Sequence, residues 1–361
     1  MINRILGILL VVSMFSCTSS YSCVEEDVET CFLKEGELPQ IKEVSFEVME
    51  VPNNLSNYYV VSDSILLEVN DRNPSPYIVT LYNMKTGEKI VEYFKRGSNG
   101  IDELISAMVS VHDNEVVIYD YSQSAITRLQ IDSIVKNKEG YIPLITYKKE
   151  SGMGFVYKND STILFNNANY FNGFGNEKAS KFIEIDVKNG FPIQDIENDV
   201  KYDAFSINYR VICHDKERSS FLVFHQKHPI VEVYDNNLKL IKQYVGPEDC
   251  DFDYYLTEDD AIRERNVCSF FYGKPTSSSN YIIVVNNRYY KQPKRVDLAE
   301  AELRTQEFWK FNYAGQVMER YKILNAQKEI YNISYSEKEN VLYFNSFDEN
   351  DESIFCRVNL N

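Results

Sequence analysis

The sequence lacks the short motifs that mark several enzyme classes. It contains no GxSxG elbow, which disfavours a serine hydrolase. It contains no GxxxxGKS or GxxxxGKT loop, so a cradle for nucleotide phosphates is not expected. No CxxC pair or Cys/His grouping has the spacing of a zinc finger. The motifs therefore nominate no catalytic residue, no metal ligand and no cofactor.

Long apolar runs are also missing, apart from one at the N-terminus. The apolar run of residues 5–15 follows a single cation, Arg4, and precedes Ser16 and Cys17, which is the layout of a secretory signal. The run is too short to span a bilayer, which needs about 20 apolar residues. Residues 1–16 are therefore predicted to be a signal peptide.

Ser16 and Cys17 resemble a bacterial lipobox, in which the cysteine becomes the acylated first residue of the mature chain, although Phe15 stands where a small residue is usual. We expect lipidation at Cys17, with residues 17–39 as a flexible tether that leaves the membrane. The alternative is ordinary cleavage, with Cys17 discarded or kept as a structural thiol. The expected location is the outer membrane or the periplasmic face of the cell envelope, and the lipid anchor is the only expected contact with the membrane.

Positive charge is scarce. The chain has 38 Lys and Arg residues against 54 Asp and Glu residues, a formal net charge of -16. Removal of residues 1–16 takes away one positive charge, Arg4, and gives -17. A protein of this charge repels phosphate backbones and anionic lipid surfaces. No nucleic-acid partner is expected.

The sequence does contain a repeated unit. Residues 114–131 (NEVVIYDYSQSAITRLQI) combine a short apolar strand, a polar connector and a second, alternating strand, and five other places follow the same plan. The first strands of the units are ILLEV from Ile65, VVIYD from Val116, ILFNN from Ile163, FLVFH from Phe221, IIVVN from Ile282 and VLYFN from Val341.

The partner strands of the units share a pattern as well. Their middle position is always polar, and the next position is always apolar. Period-2 alternation of this kind predicts that the polar position faces wetter surroundings than its neighbour. The polar residues are Thr80, Arg128, Glu184, Glu232, Lys310 and Arg357.

Two further strands accompany each pair, and turn residues such as Thr86 and Gly87 separate them. Four strands in each of six units predict an all-β fold, a six-bladed β-propeller with four-stranded antiparallel blades over residues 40–361. The sixth unit stops at Asn361, after its third strand. An isolated strand predicted at residues 44–51 would complete this last blade and close the ring.

One blade junction carries a family resemblance. The passage FKRGSNGIDELISAMVSVHDNEVVIYDYSQSAITRLQI, with Gly97, Gly100 and Glu103 before the innermost strand, resembles the junction of TolB-like six-bladed propeller lipoproteins. The final stretch, from Trp309 onward, resembles the closing blade of that family. The resemblance implies the six-bladed fold but no particular activity, because the family has no established general function.

The sequence motifs of propeller enzymes provide a test of whether this chain is an enzyme. Sialidase-type propellers carry SxDxGxTW boxes and quinone-dependent propellers carry Trp-rich repeats, whereas this chain has one tryptophan and no such box. Three histidines, His214, His225 and His228, are expected to be solvated residues of turns rather than metal ligands. A hydrolase or lyase that acts on an extracellular polymer remains the alternative hypothesis.

Binding is the leading hypothesis, because loops at one face of a rigid ring can present varied side chains. The longest insertions, residues 246–266 and 289–305, carry side chains of the kind that anchor interfaces. The candidate binding residues are Tyr254, Tyr255, Tyr289, Tyr290 and Arg295. The expected partner is a protein or a glycan, and a scaffold subunit of an envelope complex is a further possibility.

Overall fold

The structure is a computed structural model in which six β-sheet blades form a closed ring. The sequence prediction of an all-β six-bladed propeller is confirmed. The described residues are 28–52, 56–70, 75–98, 103–112, 115–120, 122–123, 125–137, 141–146, 154–159, 161–166, 180–186, 192–197, 210–215, 218–225, 229–247, 254–256, 262–264, 272–273, 275–288, 305–324 and 330–361.

The N-terminal part contributes three short strands and one 3₁₀ turn. They are β1 (Glu29–Phe32), the 3₁₀ turn Glu35–Glu37, β2 (Ile41–Val44) and β3 (Phe46–Met49). The first three blades follow in chain order. Their strands are β4 (Asn57–Ser62), β5 (Ile65–Val69), β6 (Tyr77–Asn83), β7 (Lys89–Arg96) and β8 (Glu103–Leu104) in blade 1, β9 (Met108–His112), β10 (Glu115–Asp120), β11 (Ala125–Gln130) and β12 (Tyr141–Thr146) in blade 2, and β13 (Gly154–Asn159), β14 (Thr162–Asn166), β15 (Ser180–Asp186) and β16 (Pro192–Glu197) in blade 3.

The last three blades repeat the plan, with a small hairpin inserted between blades 4 and 5. Their strands are β17 (Arg210–Asp215), β18 (Ser220–His225), β19 (Ile230–Tyr234) and β20 (Leu240–Val245) in blade 4, the inserted β21 (Tyr254–Leu256) and β22 (Ile262–Glu264), β23 (Thr276–Ser277), β24 (Tyr281–Arg288), β25 (Thr305–Asn312) and β26 (Val317–Ile323) in blade 5, and β27 (Tyr331–Ser336), β28 (Val341–Phe347) and β29 (Ser353–Asn359) in blade 6. Helix α1 (Ile131–Asn137) joins β11 to β12. Within the described ranges, no helix has the length and apolar character that a membrane span requires.

The repeated strand pairs occupy the second and third positions of the blades. These strands are the most deeply buried, and among the described residues their apolar side chains form six clusters, one between each pair of neighbouring blades. The core is therefore a ring of layers between sheets. Burial on both faces explains why strands such as β5, β10 and β19 are buried at every residue.

The polar middle position is more exposed than the apolar position after it in five of the six units, but five of the six polar residues are nevertheless buried. Thr80, Arg128, Glu184, Glu232 and Lys310 are all buried, and Arg357 is exposed. Each charged member of the set lies close to an ionisable side chain from another strand of the same blade. The pairs are Arg128–Glu115 at 3.4 Å, Glu184–Lys158 at 2.5 Å, Glu232–His225 at 3.0 Å, Lys310–Glu319 at 3.2 Å and Arg357–Glu47 at 2.8 Å. The alternation in the sequence does not reveal this burial, because pairing makes the burial of a charge tolerable.

Residues 29–49 form an N-terminal belt along the outer edges of three consecutive blades. Strand β1 pairs in parallel with β20 of blade 4, and β2 pairs in parallel with β26 of blade 5. Strand β3 then pairs antiparallel with β29 as the fourth strand of blade 6, which confirms the predicted closure of the ring. Strand pairing between the N-terminal belt and the ring thus begins at Glu29. The sequence had predicted that the propeller domain starts at residue 40.

Apolar and charged contacts hold the belt on the ring. Leu33 and Leu38 pack against the core layer between blades 4 and 5. Lys42 donates a hydrogen bond of 2.5 Å to Glu319. Burial would raise the pKa of Glu319, but hydrogen bonds from Lys42, Tyr321 and Lys310 lower it to about 2. Because Glu319 is ionised at neutral pH, it links the belt to the buried Lys310.

The seam between the last and first blades depends on Asn345, a buried residue of β28. Its side chain accepts a hydrogen bond of 3.0 Å from the backbone N–H of Tyr58 in β4 and donates one of 2.7 Å to the Tyr58 carbonyl. The backbone N–H of Val60 adds a bond of 2.9 Å to the Ser334 hydroxyl. Backbone groups of blade 1 are therefore satisfied by side chains of blade 6.

The first prediction concerns the belt. Deletion of residues 40–52 removes β2 and β3, exposes the edges of blades 5 and 6 and should lower the melting temperature by about 10 °C or more. The matched control, Glu47→Ala, removes only the exposed ion pair with Arg357 and should change stability by less than about 1 kcal/mol. An unchanged melting temperature for the deletion would show that the belt does not close the ring.

The second prediction concerns the seam. Asn345→Ala removes both hydrogen bonds to the Tyr58 backbone and should lower the free energy of unfolding by about 2 to 3 kcal/mol, as measured by urea denaturation. The exposed Asn359 lies on the neighbouring strand β29, and Asn359→Ala should stay within about 0.5 kcal/mol of the parent. Equal effects of the two substitutions would contradict the role given to Asn345.

Candidate functional site

The inner strands of the blades surround a channel along the axis of the ring. This channel is interrupted where two opposite blades meet. Ser277 of β23 in blade 5 lies in parallel register with His112 of β9 in blade 2. This bridge joins the two blades into one extended sheet across the middle of the ring. In a ring of six blades, numbers 2 and 5 face each other, so the contact divides the channel.

Beside this bridge lies a cavity of about 460 Å³. It opens at the turn face, by which we mean the face of the ring where inner strands end and turn into second strands. Four blades line it, and their contributions are residues 60–64 of blade 1, Val111 and Asp132 of blade 2, residues 276–279 of blade 5 and residues 335–338 of blade 6. The cavity exists only because the chain ends of the ring, blades 6 and 1, are brought together.

An ion pair spans the seam at the cavity wall. Lys338 of blade 6 lies 2.6 Å from Asp63 of blade 1, and the Ser336 hydroxyl donates a hydrogen bond of 3.1 Å to the other oxygen of Asp63. The hydrogen bond from Lys338 lowers the pKa of Asp63 below its ordinary value, against the opposing effect of burial. Asp63 is therefore a fixed, ionised acceptor at neutral pH.

A second carboxylate is held across the boundary between blades 5 and 6. Asn280 donates two hydrogen bonds to Glu337, one of 2.6 Å from its side-chain amide and one of 3.2 Å from its backbone N–H. Burial would raise the pKa of Glu337, but hydrogen bonds from Asn280 and Ser278 outweigh it and the pKa lies below its ordinary value. Glu337 thus keeps its charge and its orientation.

Tyr335 provides an aromatic surface in the lining. Its hydroxyl donates a hydrogen bond of 2.9 Å to Asn340, and burial raises its pKa. The buried Lys310 lies 5.5 Å from the centroid of the Tyr335 ring and 4.1 Å from that of Tyr281. The cation–π contact with Lys310 and the hydrogen bond to Asn340 restrain the Tyr335 ring at the cavity.

Hydroxyl and carboxylate groups make up most of the polar lining. Hydroxyl groups can both donate and accept hydrogen bonds, and the two oriented carboxylates accept them. No histidine is among the lining residues that the structure describes. The described part of the chain contains no group of three or more His, Cys, Asp or Glu side chains that could hold a metal ion.

Neither Tyr254 nor Tyr255, two of the binding residues nominated from the sequence, is among the lining residues that the structure describes. The connection that contains Tyr254 and Tyr255 leaves β20 at Val245, beside the first residue of β19, at the face opposite the turn face. Tyr254 and Tyr255 themselves lie on β21, which pairs with β22. Tyr289, Tyr290 and Arg295, like Cys17, lie outside the described residues.

Two of the three histidines are structural, which corrects the expectation of solvated turn residues. His214 stacks on Phe221 with a centroid distance of 4.5 Å and makes a contact of 2.9 Å with the Tyr157 carbonyl. His225 is buried 3.0 Å from Glu232. His228 lies outside the described residues.

Sequence reasoning missed the cavity, although a signal was available. The turns after the inner strands of blades 1, 5 and 6 are rich in Ser and acidic residues. They read SDS at residues 62–64, TSSSN at 276–280 and SEKEN at 336–340. Alignment of the repeats at these turns would have placed the three segments around one opening, because equivalent turns of a propeller converge on the axis.

Comparisons with known proteins support the fold and no more. No family model matches the sequence, and no curated protein matches it. A member of the DUF4221 family from Bacteroides vulgatus ATCC 8482 is similar in structure, with a TM-score of 0.55 and 12% identity over 88% of this chain and 98% of that one. A protein from Bacteroides fragilis NCTC 9343, provisionally described as exported, has a TM-score of 0.52 and 12% identity over 92% of this chain and 99% of that one. At this identity the likeness establishes a shared propeller fold.

Proposed function

We propose that this protein is a lipid-anchored binding protein of the cell envelope, whose propeller holds a ligand in the cavity at the turn face without altering it. The observation that carries the proposal is the cavity itself, with its two oriented carboxylates and its hydroxyl-rich wall. Cavities of this size, with a few fixed polar groups, are typical of small-ligand sites. The resemblance of the sequence to TolB-like lipoproteins is in keeping with this proposal.

The contacts that order the lining also support a preformed binding site. The wall segments continue directly from inner strands, and the Asp63–Lys338 and Asn280–Glu337 contacts fix them across two blade boundaries. A preformed site loses little conformational entropy when a ligand enters. The tyrosines nominated on the insertions are kept as a second, separate surface for a protein or glycan partner at the opposite face.

The third prediction tests the anchor. Cys17→Ala removes the acceptor of the lipid, and the variant should be found in the soluble envelope fraction rather than with membranes. Cys31 is a free thiol of the belt, and Cys31→Ala should leave the protein with the membranes. If Cys17→Ala stays membrane-associated after a salt wash, the lipid anchor is refuted.

The fourth prediction tests the cavity. A soluble extract of polysaccharide and peptide fragments, prepared from the envelope of the producing cells, should raise the melting temperature of the wild type. A ligand at one hundred times its Kd stabilises a protein by about 2.7 kcal/mol. Ser279 is exposed at the cavity wall, so Ser279→Trp should fill the opening, leave the fold intact and abolish the shift.

Asn236→Trp serves as the matched control, because Asn236 is equally exposed on a turn of blade 4 outside the lining. This variant should keep the full shift. A shift that survives in Ser279→Trp would move the binding site away from the cavity, and the insertions would then become the leading candidates. Release of new reducing ends or new amino groups from the extract would instead support an enzyme.

A further inference from the structure

We propose that the cavity at the turn face takes a short, uncharged oligosaccharide, an inference that rests on the proposed function and names its ligand class. Four features of the cavity point to this ligand class: the hydroxyl content of its lining, the balance of its charges, its aromatic ring and its volume.

Hydroxyl groups dominate the polar lining. Six serines contribute from three blades, namely Ser62, Ser64, Ser277, Ser278, Ser279 and Ser336. A serine hydroxyl donates one hydrogen bond and accepts two, as a sugar hydroxyl does. Two of these hydroxyls also bond within the protein, Ser278 to the Tyr281 carbonyl at 3.2 Å and Ser336 to Asp63 at 3.1 Å. A ligand with hydroxyl groups on several sides can exchange its water contacts for contacts with the hydrogen-bonding capacity that remains on the wall.

The charges of the lining disfavour anions. Asp63, Asp132 and Glu337 face one cation, Lys338, whose charge is already paired with Asp63 at 2.6 Å. The whole chain is also acidic, with a formal net charge of -16. A phosphate, sulfate or uronate group would meet like charge in this cavity and in the field around it.

Two of the three carboxylates already have partners within the protein. Asp63 is neutralised by Lys338, and Glu337 is held by the amide of Asn280 at 2.6 Å. Both acids keep lone pairs for further donors, because an ionised carboxylate has about four acceptor sites. Hydrogen bonds from ligand hydroxyls to ionised acceptors are about twice as strong as neutral ones, so these groups are suited to orient a neutral polyol.

The remaining features match a sugar of a few rings. The Tyr335 ring, fixed by Lys310, offers a flat apolar surface beside polar groups, and Val60, Val61 and Val111 add apolar area. Sugar rings likewise combine apolar C–H faces with polar rims. The volume of about 460 Å³ falls within the range for sites that enclose most of a small organic ligand.

The fifth prediction tests this class. The full-length protein is applied at pH 7 to an immobilised panel of tri- and tetrasaccharides that covers neutral, uronate-bearing and glucosamine-bearing members in many linkages. We expect binding to one or more neutral members and none to the uronates. The best neutral member is then titrated calorimetrically into the wild type and the variants.

Glu337→Gln keeps the shape of the side chain but loses its charge, and it should weaken binding by about tenfold. Ser279→Trp should abolish binding, and Asn236→Trp should leave the Kd unchanged. Melting temperatures of all three variants close to that of the wild type verify that the fold is retained. A Glu337→Gln variant with unaltered affinity would overturn the assignment of this carboxylate to ligand binding.

The outcomes separate the ligand class from the proposed function. If the envelope extract stabilises the wild type through the cavity but no neutral sugar binds, the oligosaccharide inference fails and the binding function stands. Preference for glucosamine-bearing or uronate-bearing members over every neutral one would also overturn the inference. If the extract gives no shift that depends on Ser279, the proposed site and the inference fail together.

Discussion

The structure depends on the packing of β-sheets face to face around a closed ring. Each blade buries both faces of its central strands, and each layer between two blades has an apolar cluster of its own. A layer of this kind is stable only while both of its sheets are present, so the first and last blades must also meet. Closure of the ring is therefore a condition for every other contact in the molecule.

Two sets of contacts close the ring. The belt adds strands along the edges of blades 4, 5 and 6 and so joins distant parts of the chain. At the seam, Asn345 satisfies the backbone of Tyr58 across the boundary between blades 6 and 1. Backbone pairing supplies most of the holding energy, because the exposed ion pairs of the belt are screened by water.

The candidate site is a consequence of the same closure. Its ion pair between Asp63 and Lys338 joins residues that are far apart in sequence and adjacent at the seam. The bridge between β9 and β23 gives the cavity a wall inside the channel. The strands that flank the long insertions, β20, β24 and β25, end or begin at the opposite face, with Val245 paired to Ile230 and Arg288 paired to Thr305.

The sequence by itself determined the six-bladed architecture and the strand that closes it. The repeated apolar runs identify the strands, because every blade must bury the equivalent positions of its strands. The last blade lacks a fourth strand at the C-terminus, so that strand had to come from another part of the chain. Only the tertiary structure decided the environment of the polar middle positions, since Arg128 and Lys310 find partners on other strands. The tertiary structure also determined the position of the candidate site. Ser64, Ser279 and Glu337 lie far apart in the sequence, and only the closed ring brings them together around one cavity.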